Sequence, residues 1–341
     1  MAADGASSAA RRRFDAAGAV LLDRAAGPAD LHRAAHELYA VLAGLTGIRE
    51  DSRDRAEIAP LRLESGVALA PRDAARSVLD FMRTARMLQG LEAAIAAARA
   101  RFGPPVEVLY AGCGPFAPLC LPLAARLGPD AARFTLMDVH GRSVDLARVA
   151  AEALGLGDCV RGYLHADATV WTNPGPAPHV IVAEALERAL EREPQVRIMA
   201  NLAPQLAPGG LIVPERIAIE ACLAEVSREV VPVGDPGPAR VRVPLGTVFV
   251  LTADSARALA GGGTVPDVEL AIGPLAPDAP RDLILRTVVT AFGDVVLEEY
   301  ESGITYPAFL LQAGRMRGGT RLRFRYDPGP DPRFRCSVEA V

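Results

Sequence analysis

The sequence predicts an α/β fold: a doubly wound, mainly parallel sheet with N-terminal helices in front of it and a C-terminal antiparallel β domain behind it. Three observations carry that prediction. Apolar strands and helices alternate from Val106 to Val213, the pattern of a sheet covered on both faces. Before them, apolar residues recur at helical spacing. After Pro214 the texture changes to short β-rich runs separated by Gly and Pro. The expected divisions are 1–104 for a helical region that includes a lid, 105–216 for the ligand-binding α/β domain and 217–341 for the β-rich domain.

The N-terminal stretch MAADGASSAARRRFDAAGAVLL carries three arginines ahead of a short apolar run bounded by Asp15 and Asp23. It reads as a frayed polar tail and not as a signal peptide. From Ala29 to Leu45, the residues Leu31, Ala34, Ala35, Leu38, Tyr39 and Leu42 mark an amphipathic helix closed by Gly47. His32 and His36 lie one turn apart on it, but no third ligand accompanies them, and a solvated or partly packed helical surface is the expectation. Past a loop through Pro60 and Gly66, residues 71–100 read as one or two long helices that end at Gly103-Pro104-Pro105. The alternating segment then gives strand 106–111, helix 116–127, strand 133–138, helix 142–154, strands 160–166 and 179–183, helix 185–202 and strand 210–213. Pro122 is the weak point of the first of these helices, because an interior proline removes a hydrogen bond. In the β-rich part, Arg321, Arg323 and Arg325 alternate with Leu322, Phe324 and Tyr326, which predicts a solvated sheet face.

Composition narrows the chemistry. Half of the 341 residues are hydrophobic and the formal net charge is −4, which makes no electrostatic case for nucleic acid or an anionic membrane. No run approaches the roughly 20 apolar residues of a membrane span. Five cysteines lack metal-ligand spacing and point to a reducing cytoplasm, with no metal expected. All 37 basic side chains are arginines, so no lysine can serve a P-loop, a Schiff base or proton abstraction.

A doubly wound sheet binds its ligand at the carboxyl ends of its strands. Those ends carry Gly112 and Gly114 in a tight turn, then Asp138, Asp167 with Ala168, and Glu184. A Gly-x-Gly turn opening a helix suits a nucleotide-like ligand, Asp138 can accept ribose hydroxyls, and Asp167 can hold an adenine amino group. His140 and His165 lie near these ends as hydrogen-bonded fixtures or proton acceptors, and Tyr163 and Trp171 as packing groups. Glu187 and Glu191 read as a solvated face paired with Arg188 and Arg192. On a continuous helix, the nine residues from Glu184 to Glu193 turn through roughly 900°, so the two carboxylates would face apart.

This set of residues resembles class I S-adenosylmethionine-dependent methyltransferases, whose sheet is Rossmann-like. YAGCGP is similar to their first motif, Asp138 in LMDVH to their ribose acid, Asp167 to their adenine acid, and LAPGGLIVP to their fifth strand with its turn. Tyr110 stands where the family usually has Asp or Glu, which departs from the usual network around the methionine ammonium. The architecture is most similar to the protein arginine methyltransferases, which place a β-barrel after the cofactor domain. The resemblance implies that Arg83, in the Arg83-Thr84 pair, contacts the cofactor carboxylate, and that Glu184 and Glu193 match a double-glutamate loop. Ile304-Thr305-Tyr306-Pro307 replaces that family's Thr-His-Trp loop, so the architecture carries over and the protein-arginine substrate does not. The related architecture also implies a homodimer through the β domain.

Three functions remain open at this point. The first is methyl transfer to a small amino-acid-like or natural-product nucleophile, with Glu184 orienting or deprotonating the acceptor, Glu193 and Tyr110 as further candidates, and Tyr306 on the substrate wall. The second consumes S-adenosylmethionine as a cyclase or 3-amino-3-carboxypropyl transferase and releases methylthioadenosine, as in forming azetidine-2-carboxylate. The third is a noncatalytic nucleotide-binding regulator or scaffold.

Overall fold

A computed structural model describes residues 2–229, 239–311 and 316–339. Helices α1 (Ala2–Leu22) and α2 (Pro28–Thr46) pack on each other, and α3 (Phe81–Phe102) runs behind the sheet. The N-terminal stretch is thus a packed helix and no frayed tail. Phe14, Ala17 and Leu21, spaced three and four apart, form a stripe buried against α2 and the helix after the first strand. That stripe outweighs the polar residues around it. Between α2 and α3 the chain adds a two-stranded hairpin, Leu61–Leu63 with Gly66–Ala68, where the sequence reading had only a loop.

The parallel sheet comprises β1 (Val106–Ala111), β2 (Ala132–Asp138), β3 (Val160–His165), β4 (Val180–Ala183) and β5 (Leu211–Val213) in the order β3-β2-β1-β4-β5. The order reverses between β1 and β4, so the crevice at their carboxyl ends is the ligand position of this topology. Helix α4 (Leu121–Leu127) follows β1 and is shorter than the expected 116–127 helix. Pro122 explains where it begins: it occupies the first turn, where a missing N–H costs nothing. Helix α5 (Gly141–Ala153) follows β2, and α6 (Gln195–Leu202) precedes β5.

Beyond the sheet lie antiparallel strands β6 (Arg216–Ala224), β7 (Arg242–Leu251), β8 (Val268–Ala271), β9 (Asp282–Phe292), β10 (Val295–Leu297), β11 (Ala308–Leu311), β12 (Arg321–Asp327) and β13 (Arg333–Glu339). They form one sheet ordered β10-β9-β6-β7, with β11 also on β9, and a second ordered β8-β12-β13. Leu322, Phe324 and Tyr326 of β12 point inward, and the alternating Arg323 and Arg325 pair with Glu269 and Asp267 on the outside, as the period-two pattern predicts. One continuous apolar core joins the parallel sheet, the N-terminal helices and the β strands. None of the described helices is long and apolar enough to cross a membrane.

Candidate functional site

The carboxyl ends of β1, β2 and β4 open into one cavity. Its lining includes Arg83, Tyr110, Gly112, Gly114, Asp138, Asp167, Ala168, Glu184 and Glu193, with Leu63, Ala68 and Leu69 of the hairpin region over it. Tyr306 is not part of that lining; its ring meets Tyr300 edge-on at 5.0 Å.

At one end the backbone itself makes the site. Gly112 and Gly114 have φ of +75° and +59°, a left-handed region that a residue with a Cβ enters only at a cost. The Gly112 and Cys113 N–H groups both donate to the Met137 carbonyl at 2.9 Å, which locks the turn against β2. Gly114 N–H then donates to Asp138 Oδ2 at 2.9 Å and His140 N–H to Oδ1 at 2.8 Å. Asp138 is thereby fixed, and each of its oxygens keeps acceptor capacity for a further donor. Asp167 Oδ1 accepts from Thr169 N–H and Oγ1 at 2.8 and 2.7 Å, which leaves Oδ2 for a donor in the cavity. The Asn201 amide holds the Ala168 and Trp171 carbonyls and so fixes this turn. These are groups that fit an adenosine: two hydroxyls at Asp138 and an amino group at Asp167. His165 Nε2 lies 3.1 Å from the Val139 carbonyl, and neither His140 nor His165 lines the cavity.

The other end is charged. Arg83, in the first turn of α3, forms an ion pair with Glu184 at the end of β4, and both side chains are largely buried. Burial opposes the Arg83 charge, but Glu184, Glu193 and Asp80 more than offset it and hold its pKa above the usual value. Burial raises the Glu184 carboxyl against the pull of Arg83. Among the described residues, Glu193 has no ion pair. It is partly buried, and loss of solvent lifts it to about 8, with Arg83 opposing and Glu184 reinforcing. Burial also keeps the Tyr110 phenol well above its normal range, so it is neutral at pH 7.

Glu184 and Glu193 therefore share one cavity, against the expectation from a continuous helix. Residues 184–194 are a loop, and only Gln195–Leu202 is α-helical. Gln195, fully buried, closes that loop: its Oε1 accepts from Ala185 N–H at 3.0 Å and its Nε2 donates to the Ala183 carbonyl at 2.8 Å. Within it, Ala189, Leu190 and Arg192 have φ of +52°, +57° and +60°. Each costs about 1 kcal/mol or more in a residue with a side chain. Glu187 pairs with Arg192 at 3.4 Å on the outside, in keeping with its surface reading. The hairpin docks on this loop through Val67 N–H to the Arg192 carbonyl at 2.8 Å. Sequence reasoning missed Gln195 and the hairpin. LRLESGVAL does carry a strand-turn-strand pattern with Gly at the turn, whereas a lone Gln opening a helix gives no signal.

No family model matches the sequence, and no curated protein matches it. Among solved structures, the chain is similar to the "Trypanosoma brucei PRMT1 enzyme-prozyme heterotetrameric complex with AdoHcy", at 15% identity and a TM-score of 0.54, over 77% of this chain and 91% of that one. The likeness is one of fold: a methyltransferase-type α/β sheet followed by antiparallel strands, as in the protein arginine methyltransferases.

Proposed function

We propose that this protein is an S-adenosylmethionine-dependent methyltransferase acting on a nitrogen of a small, amino-acid-like molecule. The observation that carries this reading is a single cavity with adenosine-compatible groups at one end and two carboxylates, Glu184 and Glu193, at the other. The similarly folded trypanosome complex holds AdoHcy, the species left when the cofactor gives up its methyl group. The hairpin over the cavity favours a small acceptor over a protein chain.

When bound, the sulfonium supplies an activated methyl group, so the protein's work is alignment and proton removal. Asp138 would hold the ribose, Asp167 the adenine and Arg83 the amino-acid carboxylate. Glu184, held by Arg83, would orient the acceptor N–H. Glu193, with a pKa of about 8 and no ion pair among the described residues, is poised to take the proton that the nitrogen loses. The test is incubation with S-adenosylmethionine and separate panels of small amines, amino acids and peptides. S-adenosylhomocysteine with a small acceptor supports the reading, and its formation only with peptides would refute the acceptor class.

One observation favours a second reading. Tyr110, neutral and facing the cavity, offers no charge to the cofactor's ammonium. A nitrogen, the cofactor's own or another molecule's, would then attack the γ-carbon as its bond to sulfur breaks. Methylthioadenosine would leave and the nitrogen's proton would pass to Glu193. A homodimer through the β strands belongs to either reading, and a sedimentation mass near twice 35.9 kDa would support it.

A further inference from the structure

The 184–194 loop presents a physical problem. Ahead of Pro194, the stretch AEALERALERE is built of strong helix formers and contains no glycine, yet it abandons the helix and places three residues in the left-handed region. Something outside the loop must hold it there. Besides Gln195 and the hairpin, three restraints come from β9, from β12 and from the turn that leads into β13. Ala189 N–H donates to Thr287 Oγ1 of β9 at 2.7 Å, the Tyr326 hydroxyl of β12 donates to the Leu190 carbonyl at 2.9 Å, and Arg192 N–H donates to the Pro332 carbonyl at 2.9 Å. Two of these three grip the left-handed pair itself. Thr287 and Tyr326 are 2% and 5% exposed, so each hydroxyl needs a polar partner, and the loop backbone provides it.

We propose that Thr287 and Tyr326, neither of which lines the cavity, are positioning residues: by holding Ala189 and Leu190 in the left-handed turn, they bring Glu193 into the cavity beside Glu184 and Arg83. The β strands thereby build the reactive end of the site from behind. With either hydroxyl removed, the loop relaxes toward its intrinsic helical preference and Glu193 swings away from Glu184. The groups that set Glu193's protonation are Arg83 and, through it, Asp80 at the start of α3, and Glu184, Glu187 and Arg192 on the loop. Tyr110 of β1 faces Glu184. A displaced Glu193 leaves this set and gains water.

The inference rests on the proposed role of Glu193, and its test separates the two. Tyr326→Phe removes only a hydroxyl and Thr287→Val replaces one with a methyl group, and the Tyr326 ring keeps its packing on Phe334, 4.9 Å away. The Glu193 carboxyl carbon would be titrated by carbon-13 NMR in the wild type and in both variants, with the signal assigned by its loss in Glu193→Gln. Calorimetry with S-adenosylhomocysteine and turnover would be measured on the same samples. The expected result is a Glu193 midpoint that falls from about 8 toward the ordinary carboxylate range in each variant, with cofactor-product affinity changed less than about twofold. Turnover would fall about tenfold or more, as for a misplaced reacting group. A midpoint and turnover unchanged in both variants would overturn the proposal. If the wild type shows no turnover, the methyltransferase reading fails, while the NMR midpoint still decides the positioning role.

Discussion

Glu193 couples the chemistry of the site to the stability of the fold. Its folded pKa of about 8 lies above the ordinary 4.5, so the folded chain binds a proton that the unfolded chain has released at neutral pH. The stabilising contribution is full below the unfolded value and is lost as pH rises through about 8. Glu193→Gln should therefore lose less melting temperature than the wild type between pH 7 and pH 9 by scanning fluorimetry, while turnover in the wild type rises across the same interval. Equal losses in both proteins would refute the raised Glu193 pKa. Asp138 makes a second prediction. Asp138→Ala removes the proposed ribose acceptor and the partner of Gly114 N–H, and calorimetry should show binding of S-adenosylhomocysteine weakened about tenfold or more. At this scale the sequence was informative wherever strand ends dictate position: Asp138, Asp167 and Glu184 all line the cavity. It was uninformative for Gln195, because nothing in a Gln at a helix start marks it as the closure of an eleven-residue loop.

The hairpin and the 184–194 loop meet at one contact. Gly66 has φ of +144°, and a Cβ there would stand 2.6 Å from the Arg192 carbonyl. Gly66→Ala should push the hairpin off the loop, opening the cavity and raising the KM for the acceptor several-fold in steady-state kinetics, with little change in global unfolding. Gln195→Ala acts differently, because it strands Ala185 N–H and the Ala183 carbonyl without a partner. A loss of about 2–4 kcal/mol in denaturant unfolding is expected. These elements also show why local reading has a limit. Residues 185–194 carry helical propensity, and the restraints that defeat it come from Thr287, about a hundred residues on, and from Tyr326 and Pro332, farther still. The packed α1 is the converse case: its Phe14, Ala17 and Leu21 stripe was present in the sequence, but the surrounding arginines and small residues masked it.

The whole molecule divides its labour around the reversal of strand order between β1 and β4. The parallel sheet presents the glycine turn and the acids at its carboxyl ends, α3 brings Arg83 across to Glu184, the hairpin roofs the cavity, and the antiparallel strands brace the loop that ends in Glu193. The alternation of strands and helices made the sheet legible, and the β-rich runs after Pro214 made the antiparallel strands legible. Their joint construction of one site was not, because it depends on contacts between segments far apart in the chain. The most direct measurement is turnover of S-adenosylmethionine deuterated in its S-methyl group, with the small-amine panel present and products weighed by mass spectrometry. The account predicts label on the acceptor nitrogen and unlabelled S-adenosylhomocysteine. Label retained on methylthioadenosine would contradict methyl transfer and place the chemistry at the γ-carbon.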